Sequence, residues 1–168
     1  IFTVREIPFA IPYLSSNVTD EDGWSFGPAI KSVNMMGRDI SVAGYALFGS
    51  KTTFLLDLDY PWITGNHVSF HLDLSRIERV NELDEFDESS FELSPSWGIY
   101  VGEKGRARAG FSYYRFESKQ DGHTLTSDRR DHLLQVLLSL GYDSRDRWSD
   151  PHTGWLNEVE IRRTGGPL

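Results

Sequence analysis

The sequence contains no cysteine, which excludes disulfide bonds, cysteine-ligated zinc sites and thiol nucleophiles. Basic residues are in the minority: 17 Lys and Arg stand against 25 Asp and Glu, which gives a formal net charge of −8. Because a nucleic-acid-binding domain normally carries a basic face, we expect no nucleic-acid partner. No apolar run approaches the roughly 20 residues of a membrane-spanning helix, since the longest, at 133–140, is broken by Gln135 and Ser139.

Motifs of the common enzyme classes are also missing. There is no Gly-x-Ser-x-Gly elbow, phosphate loop or dinucleotide fingerprint, so we predict no enzymatic activity, no catalytic residue and no cofactor. His71 and Asp73 would share one strand face, and His152 follows Asp150 in a turn, but a third and fourth ligand at diagnostic spacing are lacking. We therefore predict no metal site, and we assign His71 to a polar interior and Asp150 to turn capping.

The pattern that is present has a period of two. Between positions 67 and 75, apolar Val68, Phe70, Leu72 and Leu74 alternate with polar Ser69, His71, Asp73 and Ser75. A strand separates these sets onto opposite faces, whereas a helix would mix them. Turn signals separate similar runs, and we predict about nine strands, at 7–15, 23–34, 39–49, 52–61, 66–80, 90–101, 105–118, 131–144 and 154–164. The predicted fold class is all-β, a single antiparallel up-and-down meander.

The lengths of strands and connections favour a membrane barrel. Strands of about ten residues are long for a soluble sheet but suit a spanning strand, which needs roughly 9–11. The connections at 35–38 and 102–105 are predicted to be tight, and those at 16–22, 81–89 and 119–130 long, with exceptions at 49–51 and 145–153. Short periplasmic turns opposite long external loops are typical of outer-membrane barrels.

In such a barrel the apolar face contacts lipid and the polar face lines the interior. We predict that the outer face carries Phe54, Leu56, Leu58, Val68, Phe70, Leu72, Leu74, Leu134, Val136, Leu138 and Leu140, and the inner face Asp57, His71, Asp73, Gln135 and Asp143. Interfacial aromatic girdles would comprise Tyr60, Trp62, Tyr142, Trp148 and Trp155 on one rim, and Trp24, Phe48 and Tyr113 on the other. A soluble sandwich with its polar face in water would show the same alternation, and it stays as an alternative.

Two segments resemble the barrel of a known family. The first contains Met35-Met36-Gly37-Arg38-Asp39 and, further on, the stretch from Asp59 to Asn66; the second extends from Leu140 to Gly154. In order and spacing they are similar to the bacterial surface antigen family, the BamA/TamA-type outer-membrane protein assembly factors. The family has a Gly-Arg-Gly turn after its second strand, and here Asp39 replaces the last glycine of that turn. The family's mid-barrel turn motif matches Asp143, Arg145, Asp146, Pro151 and Gly154. We expect Asp143 to hold this turn by accepting hydrogen bonds from backbone amides or an arginine.

The resemblance implies a barrel of sixteen antiparallel strands in the bacterial outer membrane. Residues 1–168 would form a partial barrel domain with about the first nine strands, without the POTRA repeats upstream and the later strands downstream. Because the chain does not begin with Met, we expect a processed or excised segment.

The function implied by the resemblance is non-enzymatic insertion, assembly or translocation of other proteins. The expected partners are outer-membrane lipids, unfolded outer-membrane protein clients and periplasmic assembly subunits. In this family the first strand forms a lateral gate, and the matching residues are Ile7, Phe9, Ile11 and Tyr13. The alternatives are a secretion-type transporter or passive outer-membrane channel, and a soluble all-β binding domain.

Overall fold

A computed structural model describes residues 10–64, 68–81, 86–147 and 150–165, which form nine strands. The strands are β1 (Ala10–Thr19), β2 (Gly23–Met35), β3 (Ile40–Gly49), β4 (Lys51–Tyr60), β5 (Val68–Asn81), β6 (Phe86–Val101), β7 (Gly105–Ser118), β8 (Arg130–Asp143) and β9 (Leu156–Gly165). Each strand pairs antiparallel with its sequence neighbours in one sheet, in the order β1 to β9. The all-β class and the antiparallel meander are thus confirmed. Within the described residues, no helix is long and apolar enough to cross a membrane.

Cross-strand register divides the side chains into two faces. Leu56 lies opposite Leu74, which lies opposite Leu93, and the same row continues through Tyr113 to Leu134 on β8. We call the face that carries Leu74 the outer face, and the face that carries His71 the inner face. Because side chains alternate along a strand, this row fixes the facing of every residue in the regular ladders from β4 to β8. The predicted apolar set shares the outer face, and the prediction is confirmed.

The outer face exposes large apolar side chains across the whole sheet. Leu14 on β1 is 87% exposed, Phe26 on β2 67% and Val159 on β9 62%. A water-exposed surface rarely carries so extended an apolar patch, because burying it elsewhere would be favourable. This face is therefore built to contact an apolar environment.

The inner face carries the well-packed side chains. Among the residues with almost no exposed surface are Ser25, Ala29, Leu47, Thr53 and Ser139. Most of them are small, so neighbouring side chains and loops cover them readily. At Gly27 a Cβ atom would lie 1.9 Å from the Ala46 carbonyl oxygen, so only glycine fits this contact between β2 and β3.

The connections between strands lie at two rims of the sheet, and those at one rim are similar in length to those at the other. We call the rim with the turns after β1, β3, β5 and β7 the odd rim, and the opposite one the even rim. β1 extends to Thr19 and β6 begins at Phe86, so the predicted loops at 16–22 and 81–89 are shorter than expected. Ser16–Thr19 pair with residues 23–26 through backbone groups, which polar side chains do not prevent. The predicted contrast of long and short loops is wrong, because the connections 20–22 and 82–85 on the odd rim are as short as 36–39 and 102–104 on the even rim. The long connections at 119–129 and 144–155 agree with the prediction, which included the second as an exception.

One aromatic residue predicted for the girdle lies elsewhere. The Trp62 ring stacks on Tyr100 with centroids 6.3 Å apart, and Tyr100 lies on the inner face opposite Arg106. Trp62 follows the end of β4, so strand alternation no longer fixes its direction. Tyr60 and Tyr142 do lie on the outer face near the even rim. Trp148 lies outside the described residues.

Replacing Leu72 by arginine tests the assignment of the outer face. An outward guanidinium near the middle of the band should cost about 2–4 kcal/mol in a bilayer and reduce membrane insertion. The control is His71→Arg, which puts the same side chain on the inner face beside Asp57 and Asp73. Insertion into lipid vesicles is measured by protease protection. Equal insertion of both variants would show that the outer face does not contact lipid.

Candidate functional site

Polar side chains of the inner face bond to one another across strands. The hydroxyl oxygens of Ser94 and Ser112 lie 2.7 Å apart, and the Glu92 carboxylate is 2.9 and 3.0 Å from them. Further along the sheet, Ser139 donates to Glu158 at 3.0 Å. These bonds hold a polar surface in fixed positions, which is the arrangement expected of a wetted wall.

An imidazole lies between two carboxylates on the same face. Asp57 is directly opposite Asp73, and His71 Nε2 is 3.0 Å from the Asp73 carboxylate and 3.7 Å from that of Asp57. The three donor atoms lie within 4.8 Å of one another. Two like charges directly opposed across strands repel, and the His71 ring lies between these two carboxylates. The cluster offers three donors, one fewer than the tetrahedral set of a structural zinc site.

A charged network joins four elements at the odd rim. Asp22, in the turn after β1, accepts hydrogen bonds from Lys51 Nζ at 2.8 Å and from Thr19 Oγ1 at 3.1 Å. Arg79 on β5 approaches the same carboxylate at 3.5 Å and also pairs with Glu88 on β6. Hydrogen bonding to the Lys51 ammonium lowers the pKa of Asp22, although burial opposes this effect. The ends of β1, β4, β5 and β6 are thereby tied together.

The loop after β7 folds against the inner face at the odd rim. The buried carboxylate of Asp131 accepts hydrogen bonds from the backbone amides of Leu125 at 2.8 Å and Thr126 at 3.1 Å. The His123 ring stacks on the buried ring of Phe86, with centroids 3.9 Å apart. The loop therefore covers part of the inner face at this end of the sheet.

The turn motif at the even rim begins at Asp143, on the inner face. Its carboxylate accepts hydrogen bonds from Arg145 Nε at 2.9 Å, from Nη2 at 2.8 Å and from the Arg145 backbone amide at 3.2 Å. Arg106 on β7 lies 3.6 Å away. This bidentate pair fixes the chain as it leaves β8.

The rest of the turn is organised by Asp146 and Gly154. Asp146 Oδ1 accepts from the backbone amides of His152 at 2.9 Å and Thr153 at 3.1 Å, and these bonds lower the pKa of Asp146. Gly154 has φ of 103°, and a Cβ there would lie 2.3 Å from the Ser144 carbonyl oxygen. Only glycine is compatible with both conditions. Pro151 is exposed within the segment that Asp146 closes.

The residues predicted for the lateral gate are only partly described. Ile7 and Phe9 lie outside the described residues. Ile11 and Tyr13 lie on β1, facing the same side as Lys31 and Ala29, and their exposed fractions are 49% and 46%. β1 pairs continuously with β2 from Ala10 to Thr19, and no second neighbour is found in the described part of the sheet.

Sequence reasoning grouped His71 with Asp73 but did not include Asp57, and it missed the Asp22 and Asp131 networks. The alternation puts Asp57 on the correct face, but only the register sets it opposite Asp73. For Asp22 a local signal existed, since its spacing of three from Thr19 suits a capped turn. Its partners Lys51 and Arg79 are distant in sequence, and no local pattern indicates them.

Comparison with known proteins gives one family and one fold. A family model described as the Omp85 superfamily domain matches residues 34–168. The fold is similar to that in the crystal structure of BamA from Haemophilus ducreyi lacking POTRA domains 1–3, with a TM-score of 0.60 and 14% identity. The match covers 96% of this chain and 35% of that one, so the chain spans about a third of that protein's length. No curated protein sequence matches.

Neutralising Asp22 tests the odd-rim network. Because Asp22→Asn leaves Lys51 and Arg79 without their shared carboxylate, we expect the free energy of unfolding to fall by about 1.5–3 kcal/mol. The exposed Asp20, in the same turn, gives the control Asp20→Asn. Urea titration in detergent micelles measures both. A loss no greater for Asp22→Asn than for the control would contradict a structural role.

The turn after β8 should loosen in acid. The pKa of Asp146 is lowered from its usual value of 3.8. The bonds from the two amides to its carboxylate are therefore fully formed at pH values above 3.8, and they are lost as the pH falls through the lowered pKa. Hydrogen-exchange protection of the His152 and Thr153 amides should therefore drop at low pH. Asp146→Asn should remove this pH dependence, whereas Asp150→Asn should keep it. Protection that is independent of pH in the parent would contradict the assignment.

Proposed function

The chain belongs to the Omp85 superfamily and is a bacterial outer-membrane protein, and from this premise we propose that it supplies the first nine strands of a sixteen-stranded barrel that inserts or translocates other proteins. One observation carries the proposal: a single meander with an apolar outer face, a polar inner face and two edge strands. In the described sheet, β1 pairs only with β2, and β9 only with β8. Such a sheet needs further strands to close in a membrane.

The proposed protein is larger than this chain. The share of the matched BamA that the chain covers, 35%, leaves room for the remaining strands and for periplasmic repeats. We propose that residues 1–168 are one partial barrel domain, with POTRA repeats upstream and the later strands downstream. Unfolded outer-membrane proteins would be its clients, and periplasmic subunits its assembly partners.

We propose that clients join the sheet at its first strand, the lateral gate, which includes Ile7, Phe9, Ile11 and Tyr13. The backbone N–H and C=O groups of β1 that point away from β2 would lie in hydrocarbon, where no water can bond to them, so they need hydrogen bonds from another strand. A weak closing strand can leave, and a client strand can then add to the same edge through main-chain hydrogen bonds. Pro12 lacks an N–H group, so a ladder through this strand lacks one donor.

This function needs no covalent chemistry. Adding a strand to an edge exchanges backbone hydrogen bonds and transfers apolar side chains into lipid, both of which are non-covalent steps. In the proposal the motif from Asp143 to Gly154 holds the even-rim turn and takes no part in a reaction. A soluble binding domain has no place in this proposal, because it would leave the apolar outer face in water.

A passive channel is the competing function, and the inner face is the observation that favours it. Charged side chains line this face on neighbouring strands, among them Asp57, Glu92, Arg108 and Glu160. A closed pore with such a wall would pass small ions.

Site-specific photocrosslinking separates the two functions. A photoreactive phenylalanine in place of Tyr13 would lie on β1, whereas the same residue at Tyr45 would lie on β3, which is paired on both sides. Both replace a tyrosine of the inner face, so the chemistry is matched. In cells that assemble outer-membrane proteins, adducts with newly made clients should be several-fold more abundant from position 13. Equal or absent adducts from a protein that conducts ions in planar bilayers would favour the channel.

A further inference from the structure

The outer face ends differently at its two rims. Towards the odd rim, the first outward residue beyond the apolar stretch is an arginine on three strands: Arg76 follows Leu74 on β5, Arg115 follows Tyr113 on β7, and Arg163 follows Ile161 on β9. Register assigns these arginines to the outer face, because Arg76 and Arg115 both lie opposite Phe91, and Arg163 lies opposite Val136.

From β5 to β9 the position of the arginine shifts by four residues towards the even rim. Arg76 and Arg115 share a row of paired residues that continues to His132 on β8, whereas Arg163 lies four residues further along, opposite Val136. On β2 the outer face stays apolar as far as Trp24, at the odd rim itself. Strands of a membrane barrel tilt by about 35–45°, so a line of constant depth crosses the rows obliquely. The arginines therefore follow, to within about one outward position, the depth at which the apolar band ends.

On the described parts of β4 to β8, no outward arginine lies at the even rim, where Arg38 from the turn after β2 donates to the Tyr60 hydroxyl. The last outward residues of β4 to β8 at that rim are Tyr60, Val68, Val101, Gly105 and Tyr142, all without charge. Aromatic rings at this boundary suit an ordinary lipid interface. Outward arginines at the end of the apolar stretch of three strands, at the odd rim and not on the described strands of the even rim, favour different headgroups in the two leaflets.

The arginine side chains are accessible and keep donors to spare. The side chain of Arg76 is 50% exposed and that of Arg115 39%, and each pairs with a glutamate two residues nearer the rim, Glu78 and Glu117. Across the described residues, no ion pair joins Arg163 to a carboxylate. A guanidinium has five N–H donors in a fixed fork, so a pair with one carboxylate leaves others for an anion. Two of these donors can bind a phosphate side by side.

We propose that Arg76, Arg115 and Arg163 bind the phosphate groups of a phosphorylated glycolipid in the leaflet at the odd rim. The inference rests on the proposed membrane barrel, and it assigns the odd rim to the cell exterior. Phosphates at the boundary of the acyl chains lie at the depth of these arginines. In a zwitterionic leaflet each phosphate already has the ammonium group of its own headgroup as a counter-ion, so such a leaflet attracts the arginines less. Each arginine near an anionic membrane surface contributes about a five-fold gain in affinity.

The test compares two double variants of the protein in vesicles. Arg115→Gln with Arg163→Gln removes outward charges from β7 and β9, and Arg108→Gln with Arg162→Gln removes inward charges from the same strands. The vesicles contain phosphatidylcholine with a trace of fluorescent diphosphoryl lipid A, or of its dephosphorylated form. Energy transfer from the protein's tryptophans measures enrichment of the probe around the barrel.

The parent and the inward variant should enrich diphosphoryl lipid A over the dephosphorylated form, and the outward variant should lose about five-fold per arginine removed. Arg76→Gln alone should lose one such factor with the least disturbance to the sheet. Equal enrichment of both lipids, equal enrichment by the outward variant, or displacement by inorganic phosphate in the buffer would each overturn the inference. The proteins compared are complete barrels that contain this chain together with the later strands. Insertion without lipid preference agrees with the proposed barrel but contradicts the lipid site, whereas failure of the complete parent barrel to insert overturns both proposals.

Discussion

The structure depends on pairing of the backbone between neighbouring strands. Each described strand hydrogen-bonds to the next along its length, and no strand leaves the order of the sequence. In hydrocarbon an unpaired N–H or C=O group costs several kcal/mol, so a membrane sheet must be continuous and closed. Because of the same constraint, another strand can join the described sheet only at its edge strands, β1 and β9. The proposed insertion of a client by strand addition would use this requirement directly.

Continuous pairing also makes the two faces strict. Once Leu56, Leu74 and Leu93 share a row, each neighbour along a strand must point the other way. Lipid contact on one side and a hydrogen-bonded wall around Glu92 and Ser112 on the other follow from this alternation. The same alternation puts Arg76 and Arg115 on the outer face, at the end of its apolar stretch towards the odd rim.

The turns are held by carboxylates instead of by apolar packing. Asp22 anchors the first turn to Lys51, Asp131 accepts from the loop after β7, and Asp146 closes the turn after β8. With one face in lipid and the other polar, the sheet has little apolar core, and charge-assisted hydrogen bonds replace it at the rims. The pKa values of Asp22 and Asp146 are lowered because these hydrogen bonds favour the charged carboxylates.

The sequence by itself determined the strand alternation and the meander. The period of two at Leu72 and His71 reflects local stereochemistry, and the order of strands follows from short connections. The ends of β1 and β6 were not predictable, because Ser16 and Glu88 resemble loop residues until their partner strands are known. Only the tertiary structure decided which distant residues meet: Asp57 with Asp73, Asp22 with Lys51, and Arg76 in the row of Arg115. Register is set by the fit of whole strands against their neighbours, and no single stretch of the sequence contains that information.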